Sequence, residues 1–120
     1  MRVLVVDDSD VYRYALCSVV AETSGFEVVA DASSGREALA LIGSLAVQLV
    51  LLDVCMPELD GIETARLLRG QYPDVAVLLL TAGRRAGEDD SALLPIEDKR
   101  DLSPRLLADF WRRQGQTPAK

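Results

Sequence analysis

Histidine is missing from all 120 residues of this chain. Its absence excludes a Ser-His-Asp triad, a phosphohistidine and any His-ligated metal. Chemistry must run on carboxylates, hydroxyls, lysine or arginine. Cysteine is nearly as scarce: Cys17 and Cys55 stand apart, with no CxxC pair. That spacing indicates neither a zinc site nor a disulfide framework, and two reduced thiols are expected. Long apolar runs are also lacking. None approaches the ~18 residues of a membrane span. The N-terminal MRVLVVDD is apolar for only four residues after Arg2, too short for a signal peptide. A cytoplasmic protein with no membrane partner is expected. Positive charge is in deficit, with 13 Lys and Arg against 19 Asp and Glu and a net charge of −6. Nucleic-acid binding is driven largely by neutralising phosphates with cations, so no direct nucleic-acid partner is expected. A divalent cation or a basic protein surface suits the balance better.

What is present is a chain with 49% apolar residues, enough for one core and too short for a second domain. Four apolar runs punctuate it: Arg2 to Val6, Glu27 to Ala30, Val47 to Leu52 and Val75 to Leu80. Three of them lack clean alternation, as strands covered on both faces do. Helix-length segments lie between them. Asp10 to Glu22 groups Val11, Ala15, Leu16 and Val19, with Ser9 or Asp10 as the cap. Ser34 to Ile42 groups Ala38, Leu39 and Ile42. Gly61 to Arg69 groups Ile62, Ala65 and Leu68, with Gly70 as a C-cap and Pro73 barring continuation. Ser103 and Pro104 open a last helix carrying Leu106, Leu107, Phe110 and Trp111. Adjacent positions on a helix face different ways, so of Phe110 and Trp111 one is expected in the core and the other half-exposed. Alternating strands and helices indicate βα units, a parallel sheet and helices on both faces. Sites in such α/β sheets form at the carboxyl ends of the strands.

The residues at those ends carry the chemistry. The first run is followed by Asp7 and Asp8, the third by Asp53 and the fourth by Thr81. Neighbouring strands lie ~4.8 Å apart, so adjacency would gather three carboxylates and a hydroxyl in one small volume. Carboxylates that close repel one another. A hard divalent cation with oxygen ligands resolves the conflict, and Mg²⁺ commonly takes one or two carboxylates, waters and a phosphate. The cluster therefore reads as a Mg²⁺ site open to a phosphoryl group.

With these residues in view, the chain resembles the receiver domain of two-component response regulators. VLVVDDSDVYR is similar to the family's acidic pair after the first strand. LLDVCMPELDGIE is close to its phosphorylation-site signature, an Asp followed by two residues, Met-Pro, two more and Asp-Gly. LLLTAG resembles its strand followed by a hydroxyl and a small residue. The resemblance implies a flavodoxin-like, doubly wound five-stranded parallel sheet in the order 2-1-3-4-5. It implies that Asp53 accepts a phosphoryl group from a partner histidine kinase or phosphotransfer protein. Asp8 would bind Mg²⁺ directly, with Asp7 in the same pocket and the backbone carbonyl of Cys55 completing the set. Thr81 would hydrogen-bond the phosphoryl oxygens, and a lysine after the fifth strand, for which Lys99 is the candidate, would pair with them. The chain would then be a phosphoacceptor that assists its own phosphorylation and dephosphorylation rather than an enzyme. Its output would be a downstream protein target or an output domain missing from this chain. A homodimer through Trp111 is one further partner state.

The resemblance also has departures. Only 17 residues separate Thr81 from Lys99, and GRRAGEDD has no apolar face. A short, irregular or absent fourth helix is expected, with the phosphorylation signal read out unusually. Lys99-Arg100 replaces the family's usual Lys-Pro, and a rival alignment puts Ser103-Pro104 there, leaving no lysine. The domain is expected to span residues 1–113, with 114–120 a tail or linker stub. Two other functions compete. A pseudo-receiver would keep the fold as an interaction module without productive phosphorylation. A haloacid-dehalogenase-type hydrolase has two aspartates one residue apart, as in Asp8-Ser9-Asp10, but acids of the right type do not follow Lys99.

Overall fold

The valine- and leucine-rich runs form strands and the segments between them form helices. The computed structural model describes residues 1–54, 61–81 and 96–116. The elements are β1 (Arg2–Val6), α1 (Asp10–Ala21), β2 (Glu27–Ala32), α2 (Gly35–Ile42), β3 (Leu49–Asp53), α3 (Gly61–Gln71), β4 (Ala76–Thr81), β5 (Ile96–Asp98), a 3₁₀ turn (Lys99–Asp101) and α4 (Pro104–Gln116). The five strands make one sheet in the order β2-β1-β3-β4-β5, and every neighbouring pair is parallel. This is the doubly wound, flavodoxin-like arrangement.

Period-two alternation sorts the strand side chains onto two faces. Leu4, Val6, Val50, Leu52, Val77 and Leu79 form one core with Ala38 and Ile42 of α2 and Ala65 and Leu68 of α3. Val3, Val5, Leu49, Leu51, Leu78 and Leu80 form the other with Leu16 and Val20 of α1 and Leu107 and Phe110 of α4. Both faces of β1, β3 and β4 are therefore covered, which is why those runs read as continuously apolar. Phe110 is buried, and Trp111 packs half-buried at the edge of the same core.

Caps set the helix starts. The Ser9 hydroxyl accepts the Tyr12 N–H, that of Ser34 accepts the Glu37 N–H, and that of Ser103 accepts the Leu106 N–H. Two sequence expectations need correction. Val11 does not join the buried side of α1; it is 78% exposed, and Leu16 and Val20 carry that contact. Gly70 does not end α3. The helix runs through it to Gln71, Tyr72 N–H still donates to the Leu68 carbonyl, and Pro73 makes the stop. Strands β2, β3 and β4 also end later than the apolar runs suggested, so Asp53 and Thr81 are the last residues of β3 and β4. Helix α4 continues past Arg113 to Gln116. The expected irregularity of the fourth helix falls outside the described residues, as do Met56, Pro57, Asp60 and Gly83. Among the described residues, no helix is long and apolar enough to cross a membrane.

Candidate functional site

The carboxyl ends of β1, β3 and β4 meet at one edge of the sheet. Asp53 closes β3 with its Cα opposite Leu80, one position before Thr81 closes β4. Both are buried. Past Asp53 the chain stays tied to β4 through Val54 N–H donating to the Leu80 carbonyl, at 2.8 Å. Gly61 then returns against it, donating its N–H to the Val54 carbonyl at 2.9 Å. A Cβ at position 61 would lie 2.1 Å from the Asp53 carbonyl oxygen and 2.6 Å from the Val54 Cα. Only glycine permits that approach of α3 to the end of β3.

Asp7 follows β1 and is fully buried. Its backbone N–H donates to the Ala32 carbonyl on β2. Its Oδ1 accepts the Ser9 N–H at 2.9 Å, an Asx turn that leads straight into α1. Its Oδ2 is buried and meets no donor in hydrogen-bond geometry. The Lys99 ammonium nevertheless lies 2.7 Å from that oxygen, a charge contact without a well-aligned N–H. The same ammonium lies 3.6 Å from Asp53 Oδ1. Asp8 is exposed beside them, and oxygens of Asp7, Asp8 and Asp53 come within 4.8 Å of one another.

Lys99 itself is buried, at the start of the 3₁₀ turn after β5. Asp98 pairs with Thr81 in the sheet and caps that turn by accepting the Arg100 N–H. Burial disfavours the charged ammonium, but the short contact to Asp7 and the charges of Asp53 and Asp7 outweigh it. The Lys99 pKa is raised above the ordinary lysine value. Ser103, which the rival alignment placed at the lysine position, is engaged as the N-cap of α4.

The donor set fits a hard cation. The three clustered acids, Asp7 and Asp53 buried and Asp8 exposed, offer only oxygen ligands. One ammonium does not balance three carboxylates, and the residual double negative charge matches a divalent ion. The Cys55 carbonyl lies outside the described residues.

Two neighbours of the site escaped the sequence reading. The Tyr12 ring covers the Lys99 ammonium, 4.0 Å from its centroid. The Arg13 guanidinium donates to the Asp7 carbonyl at 2.7 Å and pairs with Asp10 and Asp31, bracing the turn that holds Asp7. Helical spacing places both at the start of α1, but no local pattern indicates what their side chains meet.

Comparison with known proteins agrees with this architecture. The model of the response regulator receiver domain matches residues 3–94. The match ends before Lys99, so the lysine's place at the site is read from the fold. Response regulator GacA of Pseudomonas viridiflava is 41% identical over 81 residues, 68% of this chain and 38% of GacA. A protein-glutamate methylesterase/protein-glutamine glutaminase of Trichodesmium erythraeum is 40% identical over 86 residues, 72% of this chain and 24% of that protein. The chain thus spans well under half the length of these curated relatives, and the esterase activity in the second name is that protein's. Among solved structures, the response regulator domain of Thermotoga maritima CheB superposes with a TM-score of 0.79 at 24% identity, covering 100% of this chain and 98% of that one. With a parallel 2-1-3-4-5 sheet, clustered acids at its carboxyl edge and the family's sequence pattern over most of its length, the chain belongs to the receiver-domain family of response regulators.

Proposed function

We propose that Asp53 is the phosphoacceptor of a two-component phosphorelay. The observation that carries this reading is the Lys99 ammonium, held 3.6 Å from Asp53 Oδ1 at the tip of a buried strand. A carboxylate there is held in place by a rigid scaffold, with positive charge already beside it. The donor is a phosphohistidine on a sensor kinase or phosphotransfer protein, which supplies the histidine this chain lacks. An Asp53 oxygen forms a bond to phosphorus as the phosphorus–nitrogen bond breaks, and that electron pair stays on the partner's imidazole. The transferred group then carries its charge on oxygens beside Lys99 and Thr81. Lys99 neutralises part of that charge, and the Thr81 hydroxyl donates to one of the oxygens.

Asp7, Asp8 and Asp53, with the Cys55 carbonyl, are the residues that would hold Mg²⁺. When bound, the ion supplies the remaining positive charge for the carboxylates and the phosphoryl oxygens. The receiver unit is residues 1–113, with α4 running on beyond it, and it acts in the cytoplasm. Phosphorylation shifts a protein-interaction surface toward one of two states, read by a downstream protein or an attached output domain.

Intact mass after incubation with acetyl phosphate and Mg²⁺ tests the reading. One phosphoryl adduct is expected, and none in Asp53→Asn or without Mg²⁺. An unlabelled parent, under conditions that label another receiver, would favour the pseudo-receiver instead.

A further inference from the structure

Lysine is a poor choice for a fixed charge. Its ammonium is strongly hydrated and rides on a flexible four-carbon stem. In this site it is also drawn two ways, 2.7 Å from Asp7 and 3.6 Å from Asp53. Something must keep it where a phosphoryl group on Asp53 would need it. The Tyr12 ring lies over the ammonium, 4.0 Å from centroid to nitrogen. Tyr12 is 39% exposed while the Lys99 side chain is 4% exposed, so the ring is the outer layer and the ammonium the inner one. Arg100, the neighbouring cation, is held by Asp98 at 2.7 Å.

The two partners reach this contact from opposite ends of the chain. Tyr12 is aimed by the turn that also fixes Asp7. Ser9 N–H donates to Asp7 Oδ1, Ser9 Oγ accepts the Tyr12 N–H, and Arg13 N–H donates to the Ser9 carbonyl. Lys99 is aimed by the capped turn after β5. Strands β3 and β4 lie between β1 and β5. The ring–ammonium contact therefore bridges α1 and the turn after β5 across the ends of β3 and β4.

We propose that Tyr12 is a positioning residue for Lys99, its π face holding the ammonium at Asp53 and out of bulk water during phosphoryl transfer. The proposal rests on the reading of Asp53 as phosphoacceptor. Its electrostatic basis is the attraction of a cation to the negative face of an aromatic ring, which strengthens as water is excluded.

The test uses Tyr12→Phe, which keeps the ring, and Tyr12→Leu, which removes it; Tyr12→Met replaces the leucine variant should that one fail to fold. Two readouts are taken. The first is the NMR shift of the Lys99 ε-methylene protons, moved upfield by the ring current of an overlying aromatic. The second is the labelling rate with acetyl phosphate and Mg²⁺. Parent and Tyr12→Phe are expected to show the upfield shift and equal rates. Tyr12→Leu is expected to lose the shift and label about fivefold more slowly. Equal labelling of parent and Tyr12→Leu would overturn the proposal, and so would an unshifted parent. Tyr12→Phe as slow as Tyr12→Leu would assign the effect to the hydroxyl and overturn it too. An unlabelled parent that still shows the shift would overturn the phosphoacceptor reading, and with it Tyr12's part in transfer.

Discussion

Asp7 and Asp53 stand at the ends of strands with a neighbour on each side, whereas Lys99 follows a three-residue strand at the edge of the sheet. Val3 to Val6 of β1 and all of β3 are buried; β5 is half-buried along its length and, among the described residues, pairs only with β4. The acids are thus placed by the backbone and the two cores beneath it. The cation is placed by side-chain reach, a capped turn, two carboxylates and a ring. One site combines a rigid half and an adjustable half. The adjustable half also lies past residue 94, where the family match ends.

The largest expected effect comes from removing the cation. Lys99→Met is expected to slow labelling of Asp53 about 100-fold or more, as loss of a preorganised charge stabiliser does. The same variant is expected to bind Mg²⁺ more tightly, measured by calorimetry, because no ammonium competes for Asp7 Oδ2. Its stability relative to the parent carries a pH signature. The Lys99 pKa is higher in the folded chain than the ordinary value, so proton loss is harder there. The ammonium's stabilising contribution is whole below about pH 10.4 and is lost as pH rises through the raised folded value. Urea unfolding of both proteins from neutral to alkaline pH would show their difference shrink only at that upper end.

A smaller effect is expected from disturbing the rigid half. The Cβ of Gly61→Ala would press on backbone atoms of Asp53 and Val54, which cannot swing aside. A loss of about 2–3 kcal/mol in urea unfolding is expected, with slower labelling, because the acceptor itself is displaced. An unchanged stability would mean that the strand tip is less fixed than the comparison holds.

The smallest effect is expected at Ser103. Ser103→Ala removes the α4 cap and is expected to cost about 1 kcal/mol by thermal unfolding. Labelling is expected to stay at the parent rate. A loss of labelling larger than that of Lys99→Met would revive the alignment that puts Ser103 at the lysine position.

The rigid half was legible in the sequence for a physical reason. Buried parallel strands must be apolar throughout, so a polar residue at the end of such a run stands out, and Asp7, Asp53 and Thr81 each do. Serine caps at Ser9 and Ser103 are local signals and could be read as such. Gly70 misled because glycine often follows a helix, yet inside one it costs only about 1 kcal/mol, and α3 continues to Pro73's boundary. Val11 misled because the apolar residues of α1 spread over more than one face, and periodicity alone did not say which side meets the sheet. The adjustable half was harder to read. Spacing from Thr81 pointed to Ser103-Pro104 as a rival to Lys99, and it is the turn after β5 that brings the Lys99 ammonium to the acids. The Tyr12–Lys99 contact joins residues too distant in sequence for any window to register.

Phosphoryl transfer is expected to convert the carboxylate at position 53 into an acyl phosphate. Borohydride reduction after acetyl phosphate labelling, followed by peptide sequencing by mass spectrometry, tests it most directly, since reduction of an aspartyl phosphate leaves homoserine at the modified position. Homoserine is expected at position 53 alone. Homoserine at Asp7 or Asp8, or an adduct that survives reduction on another residue, would contradict it.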